Sequence, residues 1–341
     1  MHAAASTPTP TDGSALFDLE RRRVRGIDLG SLYRGPDFSL TRWRCCETGH
    51  GKSAEKTQPC HVLVFVHAGC FRQQDPQGDG VADPTQVAFY NADQAYQTSH
   101  PHGEGDQGSG IAFSERLARR LLAEVAPDWC ERPAERLFPA TLAGAPGGLI
   151  RRHREVVAFA QRHPQVGPLH RMLIEESVVD TLAGAMASLA AGRAKAKPID
   201  PIGRKARERS LAIQGLLTSN AGAPWCLDDL SAQIGISLFR MCREFRAVTG
   251  LSIHQYLLRS RTFAALDRLE CDPGVNLTDL ALELGFDSHS HFTKCFRQLS
   301  GTTPSAYRAM VGRDLSDATL RQAATRVDRA ALGHSHPAGA P

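Results

Sequence analysis

The sequence predicts an α+β multidomain protein: a small β-barrel with helices after it, then an all-α domain made by doubling one helical unit. Three observations carry that expectation. Short apolar runs separated by Gly, Pro, Asp and Asn fill residues 26 to 113, helical spacing replaces them at Ser114, and one pattern occurs twice between Leu227 and Tyr307.

The 341 residues suffice for two domains with cores and some loose ends. Residues 1 to 25 mix Ala, Thr, Pro and Ser before a basic run at Arg21 to Arg25, and are expected to be disordered. A charged start followed by an apolar stretch, the mark of a secretory signal, is missing there. The longest apolar run, Val62 to Val66, is far short of the roughly 20 residues that cross a bilayer. A cytoplasmic protein is expected, and nine irregularly spaced cysteines read as thiols.

His61 to His67, a β-branched and aromatic run apolar on both faces, predicts a buried strand. Thr41 to Cys46, Gln86 to Tyr90 and Gln94 to Thr98 read as further strands, in keeping with a small barrel or sandwich. From Ser114 to Ala126, Leu117, Leu121, Leu122 and Val125 share one helical face. After the Pro and Gly cluster at 139 to 148, helices are expected over 148 to 163 and 166 to 191. In the second, Met172, Val179, Leu182, Met186 and Leu189 fall at heptad spacing, interrupted by Glu175: either a dimer seam or a helix packed on its own barrel. Residues 192 to 203 read as a linker, 204 to 312 as the second domain and 313 to 341 as a flexible tail, whose His334 and His336 read as bystanders.

The formal charge of +4 is modest, but its placement is informative. Between Arg204 and Arg313 stand 14 Lys and Arg against 10 Asp and Glu, a surplus equal to that of the whole chain. In the same region Leu227, Asp229, Leu230 and Gly235 recur fifty residues later as Leu277, Asp279, Leu280 and Gly285. After one inserted residue, Ser237, Met241, Arg243, Phe245, Arg246, Gly250 and Tyr256 meet Ser288, Phe292, Lys294, Phe296, Arg297, Gly301 and Tyr307. Each copy offers a short helix ended by Gly, then a helix N-capped by Ser: a helix-turn-helix. If Met241 and Phe245 face the core, Phe239, Cys242, Arg243 and Arg246 face outward; Phe292 and Phe296 likewise leave His289, Ser290, Lys294 and Arg297 outside. Ordinary amphipathic helices with solvated basic faces would explain one copy. Duplication of the whole pattern favours two helices entering successive major grooves of one duplex.

Leu227 to Tyr307 resembles the C-terminal domain of AraC/XylS-type transcriptional regulators, most closely in GFDSHSHFTKCFRQLSGTTPSAYR from Gly285 to Arg308. The resemblance, which covers about 105 residues from near Arg204, implies a long helix from Ile253 to Leu269 joining two subdomains. It places base reading on Phe239, Cys242 and Arg243 in the first copy, and on His289, Ser290 and Lys294 in the second. Cys242 is a weak hydrogen-bonding group, and Lys294 stands where a bidentate Arg is common. Phosphate contacts are expected from Arg240, Arg246 and Arg297.

The first 190 residues resemble the cupin-like sensor domain of one branch of that family, in HVLVFVHAGCFRQ from His61, VADPTQVAFYNADQAYQTSHP from Val81, and the Gly105 and Asp106 pair. This implies a small effector in the barrel, with His67, Cys70 and His100 as candidate contacts, and dimerisation through the helices that follow. Cys45, Cys46, Cys60, His61, His67, Cys70, His100 and His102 are ligand types that some barrel metal sites use. His100 and His102, however, fall in a turn with Glu104 rather than on a strand, and neighbouring Cys45 and Cys46 point to opposite faces. No metal ligand, cofactor or catalytic residue is assigned. The expectation is a homodimeric regulator, an activator that contacts RNA polymerase and binds a double-stranded operator under effector control; a metal- or redox-responsive regulator and a metal-dependent cupin enzyme are the alternatives.

Overall fold

The computed structural model describes residues 27–46, 51–100, 105–164, 167–195 and 203–312. The basic run at Arg21 to Arg25, most of the expected linker, His102, Glu104, and the tail with His334 and His336 lie outside the described residues.

Among the described residues the N-terminal half is built from β1 (Ile27–Arg34), β2 (Phe38–Cys45), β3 (Lys56–Thr57), β4 (His61–Ala68), β5 (Phe71–Asp75), β6 (Gly78–Ala82), β7 (Gln86–Tyr90), β8 (Ala95–Ser99), β9 (Gln107–Phe113) and β10 (Leu142–Gly144). They form two antiparallel sheets, ordered β1-β2-β9-β4-β7-β10 and β3-β8-β5-β6. β4 lies inside the larger sheet between β9 and β7, and it is apolar on both faces because an apolar layer covers each of them. Leu63 and Phe65 join the core under the helices, whereas Val62 and Val66 join the layer facing the other sheet.

Helix α1 (Glu115–Val125) follows β9, and α2 (Gly147–Arg162) and α3 (Pro168–Lys195) follow β10. Ser114 caps α1 by accepting the Leu117 N–H. In α3 the heptad positions Leu182, Met186 and Leu189 are buried within their own chain, in the core shared with α1 and α2, while Met172 is 59% exposed. Glu175, which breaks the heptad, accepts the Tyr33 hydroxyl at 2.6 Å. The charged residue therefore has a partner in the sheet.

The C-terminal half comprises α4 (Arg204–Ser219), α5 (Leu227–Ile234), α6 (Leu238–Thr249), α7 (Ile253–Cys271), α8 (Leu277–Glu283), α9 (His289–Ser300) and α10 (Pro304–Gly312). The joining helix α7 begins at a capping box in which Ser252 and Gln255 bond reciprocally to each other's backbone. The α5–α6 pair has a core of its own with Ile213, Leu217, Leu230, Met241, Phe245 and Tyr256. The α8–α9 pair does not: Phe292 and Phe296 belong to one continuous cluster that runs through α7 into the core of the N-terminal half. None of the nine cysteines is in a disulfide; Cys45 is buried and Cys46 exposed. No helix among the described residues is long and apolar enough to cross a membrane.

Candidate DNA interface and sensing cavity

The two helical pairs are built alike down to their turns. Gly235 and Gly285 both take φ of 75°, a left-handed backbone that side chains other than Gly adopt at a cost. Met241, Phe245, Phe292 and Phe296 are 0% exposed, so the opposite faces of α6 and α9 are fixed by packing. The two N-terminal caps differ. Ser288 accepts the His291 N–H at 3.1 Å, whereas Ser237 occupies the cap position of α6 without a side-chain bond there.

On α6, Phe239, Arg240, Arg243 and Arg246 are exposed. Cys242 is half-buried and packs against the α5–α6 core, so its outward expectation holds only in part. Phe239, at 75% exposure, lies under the Arg243 guanidinium, 6.0 Å from ring centroid to Cζ. Arg240 is bound at 2.8 Å to Glu244, which Arg209 of α4 also grips through two hydrogen bonds. On α9, His289, Ser290, Lys294 and Arg297 are exposed and border one shallow depression. The arrangement sets one cation, Arg243 or Lys294, at the matching turn of each helix.

These helices are also tied to the N-terminal half. Arg154 of α2, with a side chain 0% exposed, reaches α7 and bonds Glu270 through Nε at 2.6 Å and Nη2 at 2.9 Å, and Asp267 at 3.2 Å. Burial opposes its charge, but the Glu270 carboxylate outweighs that penalty and holds it firmly cationic. The repeat-matched tyrosines serve the same junction. Tyr256 donates to Asp83, a buried carboxyl pushed up by burial and partly restrained by bonds from Thr85 and Tyr256. Tyr307 donates to Glu270. Where α2 meets the end of α9, a Cβ on Gly147 would lie 1.5 Å from the Leu299 carbonyl oxygen. Neither the tyrosine pair nor Arg154 carries a sequence signal beyond the repeat itself.

Between the two sheets lies a cavity of about 390 Å³, walled by Trp43, Val62, Val64, Phe71, Tyr90 and Tyr96 and bordered by Lys56, Gln58, His100 and Asp106. Of the three candidate effector contacts, only His100 lines it. His67 points to the opposite side of the sheet, where its Nε2 and that of His153 meet the Ser109 hydroxyl at 2.9 and 2.6 Å. Cys70 packs with Val81 and with Leu211 of α4. At the cavity edge His100 Nε2 lies 2.8 Å from Asp106 Oδ2, and that bond, with a further one to Cys45, pushes the imidazole up to about 10.

Burial pushes His61 down to about 4 and His153 down to about 3. Both stay neutral in the folded chain while the unfolded chain protonates below about 6.5. Their contribution is thus lost as pH falls from about 6.5 toward those values. His100 has the reverse sign: its stabilisation is complete below about 6.5 and is lost as pH rises through about 10. Melting temperatures measured from acidic to alkaline buffer are expected to peak near neutrality, and a monotonic rise across that range would contradict this balance.

A family profile described as a helix-turn-helix domain matches residues 230–310. The transcriptional activator AarP of Providencia stuartii is 32% identical over 96 residues, which covers 28% of this chain and 67% of AarP. The regulator ExsA of Pseudomonas aeruginosa is 33% identical over 90 residues, 26% of this chain but only 31% of ExsA. Among solved structures, ToxT of Vibrio cholerae aligns over 81% of this chain and 100% of its own, with a TM-score of 0.32 and 15% identity.

Proposed function

The chain belongs to the AraC-type family of DNA-binding transcriptional regulators, and we propose that it is an effector-controlled activator reading an asymmetric operator with α6 and α9. The observation that carries this reading is the matched pair of exposed faces, each with a cation one turn in and each held by two buried aromatic or Met side chains. The sensing unit spans 26 to 191 and is cupin-like; the DNA-binding unit spans 204 to 312. Phe239 and Arg243, with Cys242 beside them, read one groove; His289, Ser290 and Lys294 read the next. Because these sets differ, the two half-sites differ. Arg246 and Arg297 are set for phosphates, and Arg240 shares that task with its bond to Glu244.

A small effector fits the apolar and aromatic cavity between the sheets, with His100 at its polar edge. Arg154 and Asp83 give that half a grip on α7, the helix joining both readers, so a ligand favouring one sheet arrangement over another can bias the readers. Dimerisation, contact with RNA polymerase and a cytoplasmic location complete the reading; Leu169 and Met172, 55% and 59% exposed at the start of α3, offer an apolar patch for a second copy.

The test uses the full chain and a site selected from genomic fragments. Arg243→Ala and Lys294→Ala are each expected to weaken specific binding by about 1 to 3 kcal/mol and to relax base preference at one half-site. Binding is expected to weaken steeply with salt. Unchanged affinity in both variants, measured by gel-shift titration, would remove α6 and α9 as the readers.

A further inference from the structure

At one edge of the cavity, three side chains of different chemistry are buried together. Cys45, His100 and Asp106 each offer one ligand atom, and these atoms all lie within 4.8 Å of one another. They come from three places: Cys45 ends β2, His100 follows β8, and Asp106 precedes β9. The β2–β9 register, with Arg44 opposite Gln107, brings Cys45 to Asp106, and the Cys45 N–H donates to the Asp106 carbonyl at 2.7 Å. Two glycines make the approach possible. A Cβ on Gly105 would lie 2.0 Å from the Cys45 carbonyl oxygen, and one on Gly69 would lie 2.7 Å from the Gly105 carbonyl oxygen.

We propose that Cys45, His100 and Asp106 bind a borderline divalent cation of the zinc class, with the remaining coordination position open to the cavity. The donor set selects that class: a thiolate disfavours magnesium and calcium, while a carboxylate with one imidazole suits copper(I) poorly. The spacing fits as well. Zinc bonds of about 2.0 to 2.3 Å in a tetrahedron put ligand atoms about 3.3 to 3.6 Å apart. The present group needs to contract toward that spacing, and the 2.8 Å contact between His100 and Asp106 needs to open by about half an ångström. Loading releases to solvent the thiol proton and the proton that His100 and Asp106 share. All three residues line the cavity, so a water or a ligand oxygen has room at the fourth corner. The site stands whether or not an organic effector also occupies the cavity.

The test titrates chelator-treated full-length protein with zinc alone, then with cobalt(II) as a spectroscopic probe. One equivalent is expected to bind, with a cobalt–thiolate charge-transfer band. Cys45→Ser and Asp106→Asn are expected to lose the band or weaken zinc binding at least about 100-fold, while Cys46→Ser, altering an exposed thiol, keeps both. X-ray absorption of the zinc-loaded natural chain gives an answer even where a variant fails to fold: one sulfur at about 2.3 Å and otherwise nitrogen and oxygen are expected. No stoichiometric binding, a zinc shell with no sulfur or several, or full binding in folded Cys45→Ser overturns the proposal and leaves His100 and Asp106 as a structural ion pair.

Discussion

Replacing Arg154 by Ala is expected to cost about 3 to 5 kcal/mol of folding stability, since removal of one partner strands the other charges in a buried setting. The stranded groups are Glu270 and Asp267 on α7, with side chains 16% and 20% exposed, facing the space the guanidinium leaves. Tyr307 still donates to Glu270, which places the effect toward the lower end. Arg154→Lys is expected to recover little, because an ammonium cannot match the two parallel bonds to Glu270. The same loss loosens α2 from α7, so operator affinity without effector is expected to change more than it does for an equally destabilising change in α1. Denaturant titration and gel shifts on the two variants check both halves. A stability loss below about 1 kcal/mol would mean that water replaces the guanidinium at no great cost.

Arg154 illustrates what the sequence hides. It sits in a run of charged residues, RRHRE, and its partners stand more than a hundred residues away. Nothing local marks which of those arginines is buried. Helices α6 and α9 were legible as helices for the opposite reason: their spacing is local, and duplication checks it. The strand from His61 was legible because both its faces are covered. β5 and β6, with FRQQD and GDGVA, lack any apolar alternation, since Gln73 is buried through hydrogen bonds and Gly80 lies under Leu142. β9 carries Gly108 where a Cβ would meet the Phe65 carbonyl oxygen at 2.3 Å, and its QGSGIAF sequence carries no strand signal of its own. In the cavity, His100 was visible as a ligand type, but the spacing drew attention to His102, whereas the fold gives it Asp106 and Cys45.

Phe245→Ala is expected to cost about 3 to 5 kcal/mol and to erase one half of the DNA footprint while sparing the other. The side chain is 0% exposed and meets Tyr256 edge to face at 5.5 Å. Its neighbours Ile213, Leu217, Leu230 and Met241 form a cluster separate from the one that holds Phe292 and Phe296. The cavity is therefore charged against α5 and α6, and local opening of that pair frees α6 from its groove. α9 keeps its footing, because its core continues into α2, α3 and the large sheet. Phe296→Ala removes a ring of the same size from that continuous core, so its cost spreads to the N-terminal half and both half-sites suffer. Footprinting of the two variants on one selected operator, with amide exchange measured in each helix, separates the cases. Equal loss of protection at both half-sites in Phe245→Ala, with exchange raised as much in α9 as in α6, would show that the two readers unfold as one unit.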